Sequence, residues 1–214
     1  MVVSQEHVVL WDTIGRYLLE PPSLYFSEKR DKPFPLDDVP LRNLFVTTIK
    51  TGMREWELRQ GRPISTWSWF QMPVGSPVIC AEPVAYLVYP LLEAVLKRRL
   101  SDHLSREGIV TKAFSVPKRR YAVGNRCSKL DHMLALLGQN ESSSILGGDL
   151  KQVLDHISFL YPGSEPLSVI AHEWRNPAMH GQHAVSTAYG IVLNIVLLVA
   201  MADVKDELIT RLGP

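Results

Sequence analysis

The sequence predicts a mainly α-helical protein, most simply a helical bundle over residues 84–214 with two further helices in an N-terminal extension over 1–83. Three observations carry this. Leu92, Leu96, Leu100 and Leu104 form an i, i+4 stripe with Leu91 and Val95 beside it. Three helix signals follow in quick succession between Leu130 and Trp174. A long run with no formal charge between Arg175 and Asp203 then closes the chain. The 214 residues suffice for one core plus an extension. Apolar residues make up 46% and charged residues 21%, the balance of a water-soluble globular chain. A net charge of +1 supplies no global field, so polyanion binding has to come from local patches.

Residues 5–19 are expected as a helix capped by Ser4, with Leu10, Trp11, Ile14, Tyr17 and Leu18 on one face. Pro21-Pro22 stops it, and five prolines within 20–40 mark a linker. Leu41, Leu44, Phe45, Thr48, Ile49, Met53 and Trp56 define a second helix over 41–60. Residues 61–83 set Trp67, Trp69 and Phe70 among four prolines. They read as a short strand or as a Pro/aromatic-rich loop packed on the helices, with base stacking as the alternative.

Pro90 suits a helix first turn, and Glu93 stands four residues before Lys97, as an i, i+4 ion pair requires. Lys97-Arg98-Arg99 reads as a solvated face. Residues 106–125 read as irregular, strand-like from Gly108 to Val116, and carry a second basic cluster at Lys118, Arg119 and Arg120. The two clusters together suit the flanks of a nucleic-acid backbone. Leu130, Met133, Leu134 and Leu137 give the next helix face, ended by Gly138. Asp149 is the expected cap of a helix through Leu150, Val153, Leu154, Ile157 and Tyr161. Ser164 starts a short helix through Trp174, and residues 178–210 read as one long helix.

By length alone, residues 184–202 could span a bilayer. Ser186, Thr187, Tyr189, Gly190 and Asn194 lower the hydrophobicity, so a buried central helix and no membrane contact is the expectation. Ser186, Gly190 and Asn194 share a face that admits a second helix, from this chain or from a dimer partner. The N-terminus shows neither a basic n-region nor an apolar h-region, so no secretory signal is read. Cys80 and Cys127 form no disulfide framework and show no metal spacing. Reduced thiols and a cytoplasmic location are expected.

Chemistry concentrates in His172–His183, HEWRNPAMHGQH. Arg175 offers a planar, permanently charged fork for phosphate. His180 can carry a proton at cellular pH. On an unbroken helix the two would point about 140° apart. Pro177 predicts a break: Asn176 caps a new helix beginning at Pro177, and His180 falls in its first turn, bringing the pair to one side. An Arg and a His suit metal-free RNA cleavage, where the 2′-OH loses a proton, the 5′-oxygen gains one and the phosphate is stabilised. Two copies related by a two-fold axis would supply both proton carriers.

The run Arg175-Asn176-Pro177-Ala178-Met179-His180-Gly181, leading into a long apolar helix, resembles the R-x4–6-H motif of the HEPN superfamily. The resemblance implies a HEPN-like bundle that dimerises through its C-terminal helices, and in many members metal-independent endoribonuclease activity in toxin or phage-defence systems. It makes Arg175 and His180 catalytic, with Asn176 as a polar helper, and it implies no cofactor. RNA is the implied partner, with Lys118, Arg119, Arg120 and His183 as candidate contacts and an antitoxin or other protein as a further partner. Some members have lost catalysis and serve as binding or assembly modules.

Other readings remain beside it. Arg175 can be a helix C-terminal cation and His180 a packed residue. His172, His180 and His183 invite a metal, but His172-Glu173 is not the start of an HExxH site and no third ligand is placed in sequence, so no metal is expected.

Overall fold

The computed structural model describes residues 40–41, 43–48, 51, 82–180 and 186–212. The helix expected over 5–19, the linker after it and the aromatic segment around Trp67–Phe70 lie outside the described residues. Within 40–51 the described residues are helical; Leu41, Phe45 and Thr48 are buried, as the apolar stripe requires.

The described chain is mainly helical, and the core is built on the first and last helices of 82–212. Helix α1 (Glu82–Arg99) starts eight residues before Pro90, which lies inside it rather than in its first turn. Proline in a helix interior removes a hydrogen bond and typically costs about 3 kcal/mol. Burial outweighs that here: Val88, Tyr89, Leu91 and Leu92 are fully buried around an exposed Pro90. The leucine stripe is buried throughout, although the helix ends at Arg99: Leu100 lies in the turn that follows and Leu104 in a bridge to Val110.

A two-stranded antiparallel hairpin follows, β1 (Phe114–Val116) and β2 (Arg119–Tyr121), with Phe114 opposite Tyr121 and Val116 opposite Arg119. Isolated bridges pair Leu104 with Val110 and Ile109 with Arg126. Residues 101–129 thus form one non-helical module, held to the bundle by Phe114, Val116 and Tyr121.

Helix α2 (Leu130–Asn140) runs through Gly138 instead of stopping there. Helix α3 (Ile145–Leu160) begins four residues before Asp149, and its cap is Ser144, whose hydroxyl accepts from the Gly147 amide. Gly147 belongs to the first turn of α3, and a Cβ there would lie 1.9 Å from the Glu141 carbonyl oxygen. Only glycine lets α3 start that close to the end of α2. Glu165 caps the short helix α4 (Pro166–Ser168) by accepting from the Leu167 and Ser168 amides. A π-helical turn (Val169–Trp174) and helix α5 (Arg175–Met179) follow without interruption.

The last helix, α6 (Ser186–Leu212), starts after the motif. The single helix expected over 178–210 is therefore two, since α5 ends at Met179 with His180 as its C-cap. From Ala188 to Met201 every side chain is buried except the half-buried Asn194. That pattern is a central helix covered within one chain. Among the described residues no helix is long and apolar enough to cross a membrane.

Ion pairs fasten these pieces. Arg99 donates from Nε to Glu141 at 2.8 Å and from Nη1 to Asp203 at 3.1 Å, while Arg98 approaches Asp203 at 3.5 Å. Lys97-Arg98-Arg99 is therefore not simply a solvated face. Two of its three cations tie α1 to the α2 end and to α6.

Candidate functional site

The motif sits on one continuous helical segment. The Arg175 amide donates to the Ile170 carbonyl, five residues back, which closes the π-turn. Pro177 lacks an amide proton and crowds the Glu173 carbonyl four residues before it. The wide turn gives that carbonyl room, so Pro177 stays inside a helix instead of starting a new one. Asn176 is accordingly not a cap: its carbonyl accepts from the His180 amide at 3.1 Å. His180 is the C-cap of α5, not a first-turn residue. The expected break is absent, and helical spacing keeps the Arg175 and His180 side chains about 140° apart within one chain.

Arg175 is half-buried and His180 and Asn176 are exposed. The Arg175 Nη2 donates to Glu93 Oε1 on α1 at 2.5 Å. Glu93 thus faces Arg175, 82 positions away, rather than the neighbouring Lys97. Arg175 Nε is buried and has no hydrogen-bond partner, and the same holds for the hydroxyl of Tyr89, one helical turn before Glu93. Burial drives the Tyr89 phenol far above its ordinary range; nearby Tyr189 adds to this and Arg175 opposes it. Glu93, Tyr89, Tyr189 and Arg175 therefore make one internal polar cluster linking α1, α5 and α6. Unsatisfied buried donors are rare enough to mark a place where water or a ligand oxygen fits.

A second cluster lies where α2 meets the π-turn. Tyr121 Oη is 2.8 Å from His132 Nδ1. The Asp131 Oδ2 atom lies 3.8 Å from His132 Nε2 and 3.7 Å from His172 Nε2. Burial pushes the Tyr121 phenol up to about 12 and the Cys127 thiol above its usual value. Burial also lowers the His132 imidazole, outweighing the Asp131 carboxylate that pulls it upward. The folded state therefore binds fewer protons at His132 than the unfolded chain does. Stability from this group is full above the unfolded value near pH 6.5 and is lost as pH falls toward the lowered folded value. Thermal melts from about pH 7.5 down to about pH 5 are expected to show a falling midpoint, and His132→Gln a flatter profile. An equally steep profile in the variant removes His132 as the cause.

Lys118, Arg119 and Arg120 are exposed at the turn and on β2 of the hairpin. His183 lies outside the described residues. Among the described residues no group of three or more His, Cys, Asp or Glu side chains could hold a metal ion. Sequence reasoning missed Glu93, Tyr89 and Asp131 as site neighbours. Only Glu93 carried a signal, as a carboxylate in the apolar run from Val84 to Leu96, and its nearest cation in sequence drew the pairing elsewhere. No family model, no curated protein and no solved structure matches this chain.

Proposed function

We propose that this chain is a metal-independent endoribonuclease of the HEPN type, acting as a homodimer, in which Arg175 holds the scissile phosphate and His180 moves the proton. The observation that supports it most is the pairing of an anchored arginine with an exposed histidine at the end of the same short helix. Arg175 has five N–H donors, and Glu93 engages one nitrogen while fixing the guanidinium in place. His180 projects into solvent, where a substrate can reach it. Because the two diverge within one chain, an Arg of one copy must meet a His of the other. Asn176, exposed between them, is the polar helper. RNA is the substrate, with Lys118, Arg119, Arg120 and His183 as contacts, and a toxin or phage-defence role follows from the motif's resemblance.

A second reading has its own support. An Arg175 committed to Glu93 is also what a structural ion pair looks like, and a HEPN-like assembly module that binds a partner protein would need nothing more. The purified chain, incubated with RNA in EDTA, separates the two. Cleavage products ending in a 2′,3′-cyclic phosphate support the ribonuclease. Intact RNA in every buffer, together with a stable protein complex, supports the assembly module.

A further inference from the structure

The non-helical module between α1 and α2 is electrically unlike the rest of the chain. Residues 100–129 carry seven Lys and Arg side chains against two carboxylates, Asp102 and Glu107, in a protein of net charge +1. Outside the module, four described cations are paired in place: Arg98, Arg99, Lys151 and Arg175 each meet a carboxylate. In the module, Lys112, Lys118, Arg119, Arg120, Arg126 and Lys129 are exposed, and none has a carboxylate partner among the described residues. Such a concentration of like charge is a standing repulsion that a polyanion relieves.

The tip of the hairpin adds an independent observation. Val116 pairs with Arg119, so Pro117 and Lys118 form a two-residue turn, and Lys118 sits at φ 66°. That left-handed conformation costs a non-glycine residue about 1 kcal/mol. Glycine would serve the turn better, yet the position holds an exposed cation in the turn of the hairpin. The aromatic pair beneath, Phe114 and Tyr121, is stacked at 4.9 Å and buried, and the Arg119 guanidinium covers the Tyr121 ring at 5.2 Å. Neither ring is available to stack on a base. Among the exposed large apolar side chains of the described residues, this module contributes only Ile109 and Val123. That is too little for a surface that inserts into lipid.

We propose that the 101–129 module is a sequence-indifferent grip for the phosphate backbone of RNA, separate from the Arg175/His180 site. It rests on the ribonuclease reading only for the choice of RNA as the polyanion. Recognition goes through phosphate alone, so affinity is expected to depend steeply on salt and little on base sequence. With six phosphate contacts to the single-stranded probe the slope of log K against log salt is about −4, a loss of about 300-fold between 50 and 200 mM salt.

The test uses the full chain, a fluorescein-labelled oligouridine and a mixed-sequence RNA of equal length, followed by anisotropy across that salt range. Lys112→Gln/Arg120→Gln/Arg126→Gln is expected to shrink the slope by about 2. Lys118→Gly removes one charge while relaxing the turn, so a slope smaller by about 0.7 in that variant cannot come from misfolding. Lys151→Gln, a surface cation on α3 outside the module, is expected to bind as the wild type does. Unchanged binding in the triple variant overturns the grip, as does a strong preference for one RNA sequence. Charge-dependent binding to phosphatidylserine vesicles without RNA binding also overturns it. RNA binding with these slopes but no cleavage keeps the grip and removes the ribonuclease reading alone.

Discussion

His180→Ala is expected to abolish RNA cleavage, by a factor of about 10²–10⁴, while leaving the melting temperature within error of the wild type. Both halves follow from position. His180 is exposed at the end of α5, so truncating it opens no cavity and strands no buried partner. A large rate loss therefore cannot be blamed on the fold. Arg175→Ala is the less informative change. It would also remove the partner of Glu93 across α1 and α5, so lost cleavage would arrive mixed with lost stability. Cleavage in EDTA measured beside a thermal melt reads the two effects separately. An alanine variant that keeps a tenth or more of the wild-type rate sinks the catalytic assignment.

The largest stability effect of a single charged residue is expected at Arg99. Arg99 and its partners Glu141 and Asp203 are only 18%, 12% and 12% exposed at the side chain. Arg99→Ala strands Glu141 and takes the closer cation from Asp203, with Arg98 at 3.5 Å. Removing one partner of a buried pair costs about 3 kcal/mol, the low end of the usual range. For a chain of this size that lowers the melting midpoint by roughly 6–12 °C. The contrasting change is Lys151→Ala. Its pair with Asp155 is at the surface, 74% and 63% exposed, and its loss is expected to cost under about 0.5 kcal/mol. Equal midpoints for the two variants would mean that the Arg99 network contributes no more than a surface pair does.

Patterns that repeat along a helix are legible in the sequence. The burial of Leu92 and Leu96 on α1, the buried faces of α2 and α3, and the burial of Ala188–Met201 all follow from residue spacing, because burial on a helix is a property of one element. Boundaries are less legible. Pro90 and Gly138 each look like punctuation, and each lies inside a helix because tertiary packing outweighs the local preference; Gly147 lies in the first turn of α3 because only a residue without a Cβ fits against the Glu141 carbonyl. Long-range pairing is not legible at all. Glu93 has Lys97 as a plausible neighbour four residues on, and nothing local says that its partner is Arg175. The same holds for Arg99, whose partners stand 42 and 104 positions away. At the motif, the sequence marks the residues but not their geometry: proline chemistry predicts a break at Asn176-Pro177, and the π-turn upstream absorbs the strain instead.

That π-turn makes the direction of Arg175 a matter of chain length. Each residue added to or taken from a helix rotates everything after it by about 100°. The wide turn over Val169–Trp174 holds one residue more than an α-turn would, and the Glu93 contact exists with that surplus in place. Deleting a single residue there would let an ordinary α-helix form and swing the guanidinium away from Glu93, with every functional side chain still present. Insertions and deletions just upstream of the motif are therefore expected to be tolerated far less than substitutions at the same positions. The constraint falls on counting rather than on identity.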